Sequence, residues 1–151
     1  MSLRARTAAM AAVLVGVIAL TLSASGAAAN ADSNARPLKG TFDGGGLNFS
    51  GQLTHLGTYN GNITFFQPTG PGTFNISETW TAANGDQVFS TAQGTVTGVD
   101  PITGFQTFSE VITINGGTGR FADATGVATG TGEIAAGFTL YYGQYSGTIG
   151  Y

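Results

Sequence analysis

The sequence predicts an all-β protein: a single eight-stranded antiparallel β-barrel preceded by a signal peptide. Three observations carry that expectation. Apolar and polar residues alternate with a period of two over most of the chain after residue 38, as half-buried strands require. The alternating runs break at short turns rich in Gly, Asn and Asp, which join neighbouring strands antiparallel. Beyond the leader, no window of ten or more residues carries helical periodicity.

The leader comes first. Arg4 and Arg6 precede an apolar stretch, Ala8 to Leu22, and small residues follow it. This is the layout of a secretory signal peptide covering residues 1–31, with cleavage after Ala29 or after Ala31. Its apolar core is shorter than the roughly 20 residues of a membrane span, and no second apolar run follows. The expected location is therefore secreted or extracytoplasmic, with no membrane span, and the Ala-rich leader points to a bacterial source. The chain has no cysteine. In an exported protein this excludes a disulfide framework, thiolate metal ligands and a Cys nucleophile.

Residues 32–37 read as a short linker and 38–151 as one domain, enough for a single core. Removing Arg4 and Arg6 leaves three basic residues (Arg36, Lys39, Arg120) against eight acidic ones, a net charge of −5. A sparse acidic surface excludes nucleic acid as a partner, since that needs clustered basic residues.

Eight strands are expected near 38–43, 46–55, 57–66, 73–82, 86–97, 104–115, 125–134 and 137–150. In the second, Leu47, Phe49, Leu53 and His55 share one face. In the fourth, Phe74, Ile76, Glu78 and Trp80 do. In the sixth, Glu110 shares its face with Phe108, Ile112 and Ile114. Phe49, Phe65, Phe74 and Trp80 fit a core. Glycines inside the strands, such as Gly61, Gly94, Gly130 and Gly143, mark bends or close backbone approach. They favour a coiled barrel over a sandwich.

Glu78 and Glu110 are the candidate catalytic residues. A carboxyl on an apolar face loses solvation, so its pKa rises and suits general acid–base work. Two that converge can divide into an acid and a base. Two alternatives stand beside this: a bulge that turns the glutamate to solvent, or a buried carboxyl satisfied by hydrogen bonds. Phe49, Phe74, Trp80, Phe108 and Tyr142 are the candidate ligand-binding residues. Tyr142 is chosen from a group, Tyr141, Tyr142 and Tyr145, whose members alternate faces. His55, the only histidine, ends a strand. One histidine with scattered carboxylates makes a poor metal site, so neither metal nor cofactor is expected.

The stretch NGGTGRFADATG, 115–126, needs separate treatment. It lacks the Lys–Ser/Thr ending of a phosphate loop. GTGRFA and GTGEIA spell a dinucleotide fingerprint, but that works only where a strand leads into a helix, and strand follows both. Gly116, Gly117 and Gly119 therefore read as a chain reversal. Phe121 tucks into the barrel end, and Arg120 and Asp123 pair or cap the turn.

That stretch also carries a resemblance. ITINGGTGRFADATGVATGTG looks like the strand–turn–strand segment of the allene oxide cyclase and dirigent superfamily. With GQLTHLGTYNG and TAANGDQVF it resembles small secreted bacterial proteins of allene-oxide-cyclase barrel-like type, over roughly Leu38 to Tyr151. The resemblance implies a calycin-like barrel with an apolar lumen, homo-oligomers and, for an enzyme, a cofactor-independent isomerase or cyclase. The superfamily includes plant cyclases of oxylipin allene oxides, dirigent proteins that orient radical coupling, and bacterial polyketide cyclases. The shared motif is a structural turn, so no catalytic residue is carried over. The expected function is a lumen that accommodates a small hydrophobic molecule and steers its conformation. The alternatives are a non-catalytic carrier and a solid-barrel envelope or interaction protein.

Overall fold

The computed structural model describes residues 34–151; the expected leader and its cleavage sites lie outside them. The strands are β1 (Arg36–Gly45), β2 (Asn48–Leu53), β3 (Gly57–Gly70), β4 (Thr73–Ala82), β5 (Gln87–Val99), β6 (Gln106–Gly117), β7 (Thr125–Ile134) and β8 (Tyr141–Gly150). Each pairs antiparallel with the next, and β8 returns to pair with β1, so the sheet is a closed eight-stranded barrel. Closure leaves no free edge. β1 starts inside the segment read as a linker, because Arg36 and Pro37 already pair with Ile149 and Thr148.

Local chemistry explains the turns. Asn84 and Gly85 join β4 to β5, with Gly85 at φ 90°. Asn84 Oδ1 accepts the Asp86 backbone N–H at 3.1 Å. His55 turns the chain from β2 to β3 at φ 73°. Its ring is held by a 3.0 Å hydrogen bond between Nε2 and the Pro37 carbonyl.

The inward faces mix large and small residues across strand pairs. Phe49 lies opposite Gly61, Phe74 opposite Gly94, Phe42 opposite Gly143 and Glu110 opposite Gly130. In each pair a methyl group on the glycine would overlap the larger side chain. These glycines are therefore space for a neighbour's side chain, the aromatic-over-glycine device of curved sheets.

Two face assignments from the sequence need correction. Phe65 is 52% exposed. A register shift between Ile63 and Phe65 inserts Thr64 as a bulge, which keeps Ile63 and Phe66 inward and turns Phe65 out. Leu47 lies in the β1–β2 turn and is exposed rather than sharing the buried face of Phe49.

One end of the barrel is solid. Leu38, Leu53, Val88, Ile114, Phe121 and Ile149 are all 3% exposed or less and pack into one cluster. The stretch 115–126 seals this end. Thr118 exchanges backbone and side-chain hydrogen bonds with Gln87, each 2.9 Å. Gly119 to Phe121 form one 3-10 turn, and the fully buried Phe121 ring meets Tyr151 edge-on at 4.8 Å. Arg120 pairs with Asp86 at 3.7 Å and donates to the His55 carbonyl. It does not pair with Asp123, which is exposed. No long helix follows either GxGxxA match: a single 3-10 turn ends the first, and the second runs within β7 and just past it.

Candidate functional site in the barrel lumen

The opposite half of the barrel is hollow. A cavity of about 360 Å³ opens between the β3–β4 and β7–β8 connections. That lies at the lower end of the range for small-molecule sites, roughly 300–1,000 Å³. Its walls are mainly apolar: Phe42, Phe49, Ile63, Phe66, Phe74, Ile76, Phe108 and Ile134. Phe138, in the β7–β8 connection, reaches the mouth and meets Phe66 edge-on at 4.9 Å. Strand alternation aims every second side chain inward, and Gly94 of β5 and Gly130 of β7 let the Phe74 ring and the Glu110 side chain lie flat against the wall.

Two carboxyls line the same cavity. Glu78 and Glu110 are each 4% exposed and project from β4 and β6. Their placement follows from period two: Glu78 shares its face with Ile76 and Trp80, and Glu110 with Phe108 and Ile112. Their surroundings differ. Glu78 Oε2 accepts the Trp80 indole N–H at 3.1 Å and the Ser90 hydroxyl at 3.3 Å. Burial nonetheless pushes its pKa up to about 7, those two hydrogen bonds opposing the rise. Burial likewise pushes Glu110 well above the ordinary carboxyl range, and the neighbouring Glu78 charge adds to the effect. No hydrogen bond from the described residues holds the Glu110 carboxyl, which rests over Gly130.

Tyrosines ring the carboxyls. Tyr141 and Tyr145 line the cavity, and Trp80 stacks on Tyr145 at 5.2 Å. The Tyr141 hydroxyl donates to the Asn48 carbonyl at 3.1 Å and the Tyr59 hydroxyl to the Thr41 carbonyl at 3.2 Å. Burial first, then the Glu78 charge, raise Tyr141 to about 12 and raise Tyr145 well above the usual phenol value. These phenols therefore stay protonated. The three basic side chains of the described residues, Arg36, Lys39 and Arg120, are all exposed, and none lines the cavity.

Of the five residues singled out as ligand-binding, the structure brings Phe49, Phe74 and Phe108 to the cavity wall. Trp80 is fully buried beneath it, touching the site through Glu78. Tyr142 is a correction. It points outward, 44% exposed, and its hydroxyl donates to the Glu133 carboxylate. Its register partners, Asp43 and Glu133, lie on the outer face, whereas Tyr141 and Tyr145 have inward parity. Of the three tyrosines considered from the sequence, Tyr141 and Tyr145 are the ones that line the cavity, and Phe42 lines it without having been singled out. The parity of Tyr141 and Tyr145 with the buried Ile149 was the available signal.

Among the described residues, no group of three or more His, Asp or Glu is placed to hold a metal ion. No helix there is long and apolar enough to cross a membrane. Comparison with known protein families, curated proteins and solved structures finds no match.

Proposed function

We propose that this is an exported barrel whose half-open lumen binds one small, largely apolar molecule with its polar end against Glu78 and Glu110. One observation carries the reading: an aromatic- and aliphatic-walled cavity of about 360 Å³ ends on two buried carboxyls. The Phe42, Phe49 and Phe74 rings lie over facing glycines and so stand against the wall of the cavity they line. The allene oxide cyclase and dirigent-like sequence pattern of 112–132 supports the same reading, since those barrels are used for lumen chemistry without a redox centre.

A second reading, a cofactor-independent isomerase or cyclase, is favoured by the inequality of the two carboxyls. Glu78 is hydrogen-bonded and pushed up to about 7, whereas Glu110 has no hydrogen bond from the described residues and is pushed well above the ordinary carboxyl range by burial and the Glu78 charge. Such a pair supplies a base and an acid at one pH. The walls would fold a flexible substrate into a reactive conformer.

Native mass spectrometry of the purified protein tests the binding reading. A bound small molecule in 1:1 ratio, lost on denaturation, is expected. Only the unliganded mass, with no uptake of added apolar compounds, would contradict it. Turnover of a polyene or epoxide that is lost in Glu78→Gln while binding persists separates the enzyme from the carrier.

A further inference from the structure

The lumen has an unusual polar inventory. Below the rim it offers carboxyl oxygens and almost no donor beyond the carboxyls' own protons. The Tyr141 and Tyr59 hydroxyls are committed to backbone carbonyls. The Tyr145 hydroxyl lies beside that of Tyr59. The Trp80 N–H and the Ser90 hydroxyl are spent on Glu78. Glu78 keeps Oε1 clear of those two bonds, and the Glu110 carboxyl is free on both oxygens. No basic side chain faces them. A buried carboxyl without a partner is costly, and a ligand that supplies one recovers that cost.

From this juxtaposition we infer that the lumen selects ligands carrying a cationic amine or another donor-rich head on an apolar body, and that Glu110 is the residue that reads the head. This rests on the lumen-binding reading above. Glu110 sits at the right place: it extends over Gly130 into the cavity, where β7 has no side chain to cover it. An ammonium brings three donors and a positive charge. Placed against Glu110 and the clear oxygen of Glu78, it would form charge-assisted hydrogen bonds in a site shielded from water. A carboxylate head would instead meet two carboxyls and no donor except their own protons. Burial favours the protonated form of Glu110, so amine binding as the cation is expected to draw a proton off the protein.

Three ligands of equal chain length test the inference by calorimetry on the full domain: decylamine, 1-decanol and decanoic acid at pH 7. The amine is expected to bind at least tenfold more tightly than the acid. Its apparent enthalpy should vary with buffer ionisation, reporting proton release. Glu110→Gln should abolish the preference and the buffer dependence while the alcohol still binds. Should the alcohol bind and the acid match the amine, the headgroup inference fails and lumen binding stands. Should none of the three bind, the lumen reading fails and takes this inference with it. The wild-type comparison needs no variant, so misfolding of Glu110→Gln cannot rescue the idea.

Discussion

Trp80 donates its indole N–H to Glu78, two residues earlier on the same strand, across 3.1 Å. Period-two alternation makes the two side chains neighbours on the inward face. The bond favours the charged carboxylate and so opposes the effect of burial. Trp80→Phe removes the donor but keeps an aromatic ring. Glu78 should then titrate higher than about 7, as read from carboxyl carbon shifts by NMR. An unchanged titration would show that the bond does not control the group.

Trp80 is also the only tryptophan in the chain. Its emission should report the protonation of Glu78 directly, with a midpoint near 7. Glu78→Gln should flatten that curve. A midpoint near 4.5, the ordinary glutamate value, would place Glu78 in water rather than in the lumen.

The same raised pKa makes a statement about stability. Glu78 binds its proton more tightly in the folded chain than in the unfolded one. Between pH 4.5 and about 7 the unfolded state therefore holds fewer protons, and stability falls as pH rises. The contribution is complete below about 4.5 and lost through about 7; that span corresponds to about 3 kcal/mol. Glu110 acts in the same direction. Thermal melts from pH 4 to 8 should show a declining melting temperature. Glu78→Gln should flatten the decline and melt above the wild type at pH 8. A rise in stability over that range would contradict the burial of both groups.

Because Glu78 raises the pKa of Glu110 through charge, Glu78→Gln should lower the titration of Glu110 while burial still keeps it above 4.5. NMR titration of the single remaining lumen carboxyl measures this. Equal values in both proteins would mean that the two groups do not sense each other.

Glycine opposite a ring is the device that shapes the lumen, so Gly61→Ala should be costly. Its methyl would press on the Phe49 ring. Overpacking of this kind costs about 1–3 kcal/mol. Thr129→Ala, an exposed position on β7, should stay within about 0.5 kcal/mol. Chemical denaturation of both variants checks the contrast. Equal effects would remove the packing role assigned to the glycine.

Strand order, turn positions and the inward aim of Glu78 and Glu110 were legible in the sequence, because period-two alternation fixes faces wherever the backbone stays regular. Phe65 was misread because the bulge after Ile63 is a backbone event that leaves no trace in the alternation. Tyr142 was chosen over Tyr141 and Tyr145 although parity with Ile149 favours the other two. The Arg120–Asp86 pair joins residues from different hairpins, and the pairing of β5 with β6 brings them together. Which ring lies over which glycine, Phe49 over Gly61 or Phe74 over Gly94, is set by register across strands.

The most direct test of the account is an equilibrium titration with N-phenyl-1-naphthylamine, a probe that brightens in apolar surroundings, on the wild type and Val96→Trp. Val96 faces the cavity from β5, so an indole there should fill the entrance. The account predicts 1:1 saturable binding by the wild type and at least tenfold weaker binding by Val96→Trp at unchanged melting temperature. Equal binding by both proteins, or none by the wild type, would contradict a ligand-holding lumen.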